Sequence, residues 1–413
     1  MKGLLSVVLL FVIAVQITAE EKEKQFKVDL YGFIGVNAYY DSRQNVIVRN
    51  GNIYLFPARP NYDIDNNDIN AKGRFGVDAS YSRFGLRVNG PEVLGAKSFA
   101  LIEGDFLGKS GASDLNFRLR HAYIRLNWEK SNLLIGQYWH PLFLTENFPS
   151  TVTLSCGVPF HPLNRQPMLR FGHQLNEHFE VIAFMMTQND FADKGMPNGA
   201  AHAIQPEMDL QLKYKNANGV FAALTFGHKV LQPALYEEIN GNKKITNEKV
   251  RSSYVAASLR KSFDKFTVKM EGIYGGAMTN VVLLGGVAEK ANGSELREYT
   301  PVQTASLWTD IHTNHAKIRP GLFVGYTENM GTKEKSNIIV ESDRTPYNLG
   351  ADIGNMYTVA PRIHFLATPK IWLGVEWMYT VAAYGNDYDD YAKPIDLENV
   401  ANHRITTSLR YTF

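Results

Sequence analysis

HRITTSLRYTF, residues 403–413, alternates apolar and polar side chains to the end of the chain. In a β-strand, successive side chains point to opposite faces, so the segment has two distinct sides. One side is mostly apolar and consists of Ile405, Thr407, Leu409, Tyr411 and Phe413. The other is polar and carries Arg404 and Arg410. An aromatic terminal strand that closes a cylinder on the first strand is typical of outer-membrane β-barrels. A soluble sheet packed on a core shows the same alternation, so this strand alone leaves both folds open.

The start of the chain has the layout of a secretory signal peptide. A short basic start, residues 1–3, precedes an apolar run from Leu4 to Val15, and Ile17-Thr18-Ala19 offers a small-residue cleavage site. The apolar run is too short to span a bilayer as a mature helix. We therefore predict a signal peptide over 1–19 and a single outer-membrane β-barrel domain over 20–413. A buried N-terminal helix is the alternative.

Strand-like alternation recurs along the whole chain, and the connections alternate between short and long. The segments lie near 26–41, 74–89, 98–108, 116–128, 132–139, 166–174, 179–189, 206–215, 220–229, 253–262, 266–278, 303–312, 317–327, 356–366, 371–382 and 403–413. Short turns lie near 129–131, 175–178, 216–219, 263–265, 314–316 and 367–370. Long polar loops lie near 42–73, 140–165, 190–205, 230–252, 279–302, 328–355 and 383–402. Short turns at one end and long loops at the other predict an all-β fold, a transmembrane antiparallel β-barrel of about 16 strands.

Composition supports the barrel and excludes some other classes. Aromatic residues make up 12% of the chain, which suits the two interfacial girdles of a membrane barrel. The net charge is only +2, so we expect no nucleic-acid partner. The single cysteine excludes an internal disulfide.

The polar sides of the predicted strands carry many charges, which suit an aqueous lumen better than a packed core. The basic residues on these sides are Arg87, Arg118, Arg120, Arg125, Arg170, Lys213, Arg260, Lys269, Arg319, Arg362, Arg404 and Arg410. The acidic residues are fewer: Glu103, Asp105, Glu207, Asp209, Glu271, Asp310 and Glu376. As pore-lining and selectivity residues we select Arg87, Glu103, Asp105, Arg118, Arg120, Arg125, Arg170, Arg260 and Arg362. An excess of arginine favours anions in a narrow aqueous path, whereas balanced ion pairs bracing the wall are the open alternative.

The third outside loop, 140–166, is apolar and rich in proline. Such a loop is poorly suited to solvent, so we predict that it folds inward against the wall and narrows the pore. The residues selected for the constriction are Phe143, Glu146, Phe148 and Phe160. A loop lying over the rim or on a neighbouring subunit is the alternative.

Motifs for chemistry are weak. The acidic run Asp63 to Asp68 has oxygen ligands near calcium-loop spacing but lacks the glycine and glutamate of that motif, which favours a solvated loop. The histidines are scattered, and no nucleophile motif or phosphate loop is present. We therefore expect no metal, no cofactor and no enzymatic activity.

Four consecutive segments resemble the DcaP-like outer-membrane porin family. They are Ser82-Arg83-Phe84-Gly85-Leu86, Glu103-Gly104-Asp105-Phe106, Arg118-Leu119-Arg120-His121-Ala122-Tyr123 and Leu134-Ile135-Gly136-Gln137. The resemblance covers roughly residues 82–140. It implies a homotrimeric porin for small, preferably anionic solutes, with Arg118 and Arg120 near the constriction. Some members have a helical segment that forms a periplasmic coiled coil; here only residues 20–25 separate the predicted signal from the first strand, so contact between barrel walls would have to hold a trimer.

The function expected from these observations is passive diffusion of small hydrophilic solutes and ions, leaning towards anions. The protein would lie in the outer membrane of a Gram-negative bacterium, in contact with its lipid. A plugged barrel that acts in binding or adhesion through its long loops is one alternative. An outer-membrane lipid hydrolase is another.

Overall fold

The computed structural model describes residues 26–110, 113–293, 296–336 and 348–413. The predicted signal peptide lies outside the described residues and stays a prediction. Among the residues described, no helix has the length and apolar character needed to cross a membrane.

The chain forms a closed antiparallel barrel of 16 strands, as predicted. Strand β2 is interrupted, so that two segments share one place in the barrel. The strands are β1 Lys27–Asp41, β2 Arg74–Asp78 with Arg83–Val93, β3 Ala96–Ser110, β4 Ser113–Asn127, β5 Ser131–Trp139, β6 Arg165–Gln174, β7 Phe179–Met186, β8 Glu207–Lys215, β9 Val220–Leu231, β10 Val250–Ser262, β11 Phe266–Gly276, β12 Tyr299–Thr313, β13 Ile318–Gly331, β14 Ile353–Leu366, β15 Ile371–Tyr388 and β16 Pro394–Thr412.

The last strand closes the barrel on the first. Residues from Phe33 to Asp41 of β1 pair with Thr412 to Arg404 of β16. Beyond the ladder, the Phe413 amide donates to the carbonyl of Gly32 at 3.0 Å. The apolar side of β16 faces outward, whereas Arg404 and Ser408 are buried inside. The alternation predicted for this segment is therefore confirmed, and its apolar face meets lipid.

The prediction of a long loop near 383–402 is wrong. Strand β15 continues to Tyr388 and β16 begins at Pro394, so only residues 389–393 connect them. Ala382, Ala383 and Tyr384 are all buried, although successive side chains point to opposite faces. Here the strand is covered on both sides and loses the apolar–polar alternation that marks the rest of the barrel.

The polar loop predicted over 42–73 contains a hairpin, Asn45–Val48 with Ile53–Pro57. Residues 53–56 are almost fully buried. The Tyr384 hydroxyl donates to the carbonyl of Pro57 at 2.7 Å, and Arg404, which faces the lumen, donates to the carbonyl of Gly51 at 2.7 Å. The first loop therefore folds into the barrel.

The remaining short elements belong to the long-loop end. They are a hairpin Tyr236–Ile239 with Asn242–Ile245, the strands Gly285–Glu289 and Asn348–Leu349, the α-helix Gly199–His202, and the 3₁₀ turns Ile69–Ala71 and Met278–Val281. None of them interrupts the order of the wall strands.

Candidate functional site

The third loop runs across the lumen. The His140 amide donates to the carbonyl of Asn164 at 3.1 Å, so the ends of the loop extend the β5–β6 ladder. From there the chain reaches β12 and β13, about half the barrel away: the ring of Phe160 lies 6.3 Å from that of Phe323, and His161 meets Trp308 edge-on at 5.3 Å. Trp308 and Phe323 are buried while their neighbours in sequence face outward. The loop therefore contacts the inner surface of the far wall.

Charged wall residues hold this loop in place. Lys213 pairs with the carboxylate of Glu146 at 2.9 Å, and Asp310 accepts the amide of Ser150 at 3.3 Å. The other polar ties are Arg260 to the carbonyl of Glu146, Lys269 to the carbonyl of Phe148, and the amide of Val152 to Glu376. Burial alone would raise the pKa of Glu146, but the ammonium of Lys213 holds it below its ordinary value. Much of the luminal charge thus anchors the loop.

The four residues selected for constriction have different surroundings. Phe143 stacks on Trp139 with ring centroids 3.8 Å apart, and Phe148 lies 5.5 Å from Phe143. Phe160 is buried against the far wall, and Glu146 is tied to Lys213. Aromatic packing on both walls therefore fixes the course of the loop.

A β-bulge concentrates charge on β3 and β4. Glu103 pairs with His121 whereas Gly104 pairs with Leu119, so Arg120 is the extra residue. A bulge shifts the alternation by one residue. As a result Arg118 and Arg120, before and at the bulge, and Arg125 beyond it all reach the inner surface.

The charges around the bulge form one network. Arg118 binds both oxygens of Asp105, at 2.9 and 2.8 Å. Arg120 bridges Glu103 at 2.7 Å and Asp105 at 2.9 Å. Bidentate guanidinium–carboxylate pairs of this kind are strong and directional. The structure thus brings together Glu103, Asp105, Arg118 and Arg120, as the sequence reading placed them.

Loop residues that the sequence reading missed complete this network. Asp190 accepts from Arg49 and Arg118, each at 3.1 Å, and from Arg165 at 2.9 Å. Burial alone would raise the pKa of Asp190, but these three guanidinium groups hold it below its ordinary value. Strand alternation could not reveal Arg49 and Asp190, because both lie in loops. A signal for Arg49 was present: Asn50-Gly51 between two apolar runs is typical of a hairpin turn.

Asp190→Asn should destabilise the protein by roughly 3–5 kcal/mol, since it leaves three buried guanidinium groups without their shared carboxylate. The carboxylate has a lower pKa when folded than when unfolded. Its contribution is therefore complete above about pH 4 and lost as the pH falls through the folded value. Urea unfolding in detergent at pH 7 and pH 3 measures both effects. The exposed Asp65→Asn is the matched control. Equal loss for the two variants at pH 7 would contradict the network.

Below the third loop, towards the short-turn end, lies a cavity of about 430 Å³. Its charged side chains are Arg83, Arg120, Arg319 and Arg410, and none of the described residues that line it carries a carboxylate. Arg410 lies over the rings of Phe33 and Trp372, 4.4 and 4.6 Å from their centroids. Within the described part of the chain Arg410 has no ion-pair partner, so its charge is directed into the cavity.

The other selected residues are dispersed. Arg87 lies over Tyr31 at 3.8 Å, near the short-turn rim. Arg125 and Arg170 line a second cavity of about 240 Å³ that Glu146 also borders. Arg362 is fully buried in a 2.8 Å ion pair with Asp310. Two of the residues predicted to line the pore therefore bind other parts of the protein: Arg362 binds Asp310 of the wall, and Arg260 binds the third loop.

His140, Glu207 and Asp209 resemble a metal cluster, with one ligand atom of each within 4.8 Å of the others. The Nδ1 atom of His140, however, accepts the amide of Leu142 at 3.3 Å. The Nε2 atom lies 3.3 Å from Glu207, so both ring nitrogens of His140 already have partners within the protein. In the acidic run of the first loop, Asp63 accepts the amides of Asp65 and Asn67, which is typical of a self-capped turn.

Comparisons with known proteins agree with this architecture. A sequence profile of the DcaP outer membrane protein family matches residues 16–234. The outer membrane channel DcaP of Acinetobacter baumannii is similar in structure, with a TM-score of 0.68 and 16% identity over 94% of this chain and 97% of that one. An anion-selective porin from Comamonas acidovorans has a TM-score of 0.54 and 10% identity over 94% of this chain and 100% of that one. OmpT of Vibrio cholerae, in a trimer form, has a TM-score of 0.55 and 11% identity over 94% of this chain and 99% of that one. No curated protein matches the sequence.

Proposed function

Because the chain belongs to the DcaP outer membrane protein family and lies in the outer membrane of a Gram-negative bacterium, we propose that it is a porin for small hydrophilic solutes, preferentially anions. Solutes cross by passive diffusion, without cofactor, metal or chemical step. The third loop sets the width of the path, and the mature barrel is a single domain that begins near Glu20. The solved structures that share its fold include a channel and an anion-selective porin.

The arginine-lined cavity below the third loop supports the anion preference. Glu103 and Asp105 engage Arg120, and Glu103 also lies 3.8 Å from Arg83. Arg319 and Arg410 have no ion-pair partner among the described residues, so their charges are not offset. In a narrow path with low-dielectric walls, two unopposed cations raise the local concentration of anions.

Assembly as a homotrimer is part of the proposal. On the outer wall, Phe117 lies 5.6 Å from Phe84 and 5.7 Å from Phe106, and all three rings are exposed. An aromatic patch across adjacent strands suits a contact between barrels. A relative with this fold is described as a trimer.

A plugged barrel is the second candidate, because an apolar cluster fills part of the lumen. It joins the first-loop hairpin, the third loop and the five wall strands β12 to β16 through residues that include Tyr54, Phe56, Phe143, Phe160, Trp308, Phe323, Met356, Met378 and Val400. In this reading the protein acts through its long outer loops.

Planar-bilayer recording under a salt gradient distinguishes the two candidates. A trimeric anion-preferring porin should insert in conductance steps grouped in threes, with a reversal potential towards the anion equilibrium value. A cation-selective reversal potential would contradict the role given to the arginines. Insertion without conductance would instead favour the plugged barrel.

A further inference from the structure

A groove of about 530 Å³ lies on the outer wall of the barrel at the long-loop end. It is formed where β9 ends, β10 begins, β11 ends and β12 begins. All four strand ends belong to the side from which the long loops emerge. The groove is therefore at the boundary between the lipid-facing band and the outer loops.

Its floor is apolar and faces lipid. Phe226 pairs with Val255, and Val255 pairs with Tyr274 on the next strand. These three side chains form a row across β9, β10 and β11, and all are exposed on the outer wall. Such a row offers an apolar surface to a hydrocarbon chain that lies along the barrel.

Above this floor, nearer the loops, the groove is basic. Its cationic side chains are Lys249, Arg251, Lys290 and Lys333, with His228 beside them. Glu334 is the one carboxylate among the described lining residues, and it pairs with Lys290 at 2.9 Å. Lys249 donates to the carbonyl of Ala203 at 2.8 Å, whereas the exposed Arg251 and Lys333 have no ion-pair partner in the described ranges. Lys249, Arg251 and Lys333 thus remain uncompensated.

We propose that this groove binds a phosphorylated glycolipid of the outer leaflet. Its phosphate lies between Arg251, Lys249 and Lys333, and an acyl chain lies over the row formed by Phe226, Val255 and Tyr274. Guanidinium and ammonium groups recognise phosphate through charge-assisted hydrogen bonds. An anion that diffuses through the pore would need no apolar floor and would not be held at the level of the lipid headgroups.

The test uses the full-length protein purified in detergent and titrated with a purified diphosphorylated glycolipid, with binding counted by native mass spectrometry. The triple variant Lys249→Glu, Arg251→Glu and Lys333→Glu should weaken binding at least tenfold. The control Lys243→Glu with Lys244→Glu changes charge on the outer hairpin and should bind like the unaltered protein. Phe226→Ser should also weaken binding, since it removes part of the floor.

Three outcomes would overturn the proposal. Unchanged binding by the triple variant would show that phosphate is held elsewhere. Release of the lipid by millimolar inorganic phosphate, with no loss in Phe226→Ser, would show a simple anion site. A change in oligomeric state in the triple variant, measured by light scattering, would show that a second copy of the chain covers the groove.

Discussion

Arg410→Glu is expected to turn an anion-preferring pore towards cations. The side chain is directed into the arginine-lined cavity, and its charge is not offset by a carboxylate among the described residues. For a monovalent ion that passes about 5 Å from this site in a water-like medium, the Coulomb energy is roughly 0.8 kcal/mol for each unit of charge on the side chain. Replacing +1 by −1 shifts this energy by about 1.7 kcal/mol, with opposite sign for the anion and the cation. Their relative permeability should then change by roughly two orders of magnitude without salt, and by about ten- to thirtyfold once salt screens the charge. The reversal potential under a salt gradient measures this ratio.

Two matched variants at the same position separate charge from packing. Arg410→Lys keeps the charge but loses the planar contacts with Phe33 and Trp372, so its reversal potential should stay near that of the unaltered protein. Arg410→Gln removes one unit of charge and should lie between the lysine and glutamate variants. If all three gave the same reversal potential, Arg410 would not lie on the ion path.

Arg120→Glu is a less discriminating test of selectivity, although the family resemblance points to it. Arg120 is almost fully buried and bridges Glu103 and Asp105. Glutamate there would place a third carboxylate beside Glu103 and Asp105 and remove the cation that bridges them, which disturbs the fold as well as the field. At position 410, by contrast, the charge can be reversed without breaking an ion pair of the described residues.

The period of two in the sequence predicted the barrel, because a strand with lipid on one side and water on the other must alternate. The same rule fails where a strand does not have lipid on one face and water on the other. Ala382 to Tyr384 are buried on both faces, so the end of β15 looked like a loop. Arg125 lies out of phase with Arg118 and Arg120 in strict alternation; the extra residue at the bulge brings all three to the inner surface.

The site itself could be predicted only in part. Glu103, Asp105, Arg118 and Arg120 lie on neighbouring strands, so local pairing brings them together. Asp190 and Arg49 join them only because two loops enter the lumen, and such contacts depend on packing between distant parts of the chain. The Asn50-Gly51 pair indicates the inner hairpin, although the polar composition of residues 42–73 suggested an open loop.

Excision of the third loop is expected to raise the single-channel conductance several-fold and to weaken ion selectivity. His140 and Asn164 already pair across the base of the loop, so Asn-Gly can replace residues 141–163 as a two-residue turn. The segment removed includes Phe160 and the backbone of Glu146 and Phe148, which cross the lumen. Its loss also removes the roof of the arginine-lined cavity, so ions pass farther from those charges. Conductance and reversal potential, recorded together, measure both effects.

A second excision controls for shortening a loop. The amide of Thr246 donates to the carbonyl of Leu235 at 3.1 Å, so Asn-Gly can also replace residues 236–245, an outer hairpin. This variant should conduct like the unaltered protein. Equal conductance after both excisions would mean that the third loop does not limit the path. If the unaltered barrel were closed and only the first excision opened it, the third loop would be a plug, and the long outer loops would become the functional part of the molecule.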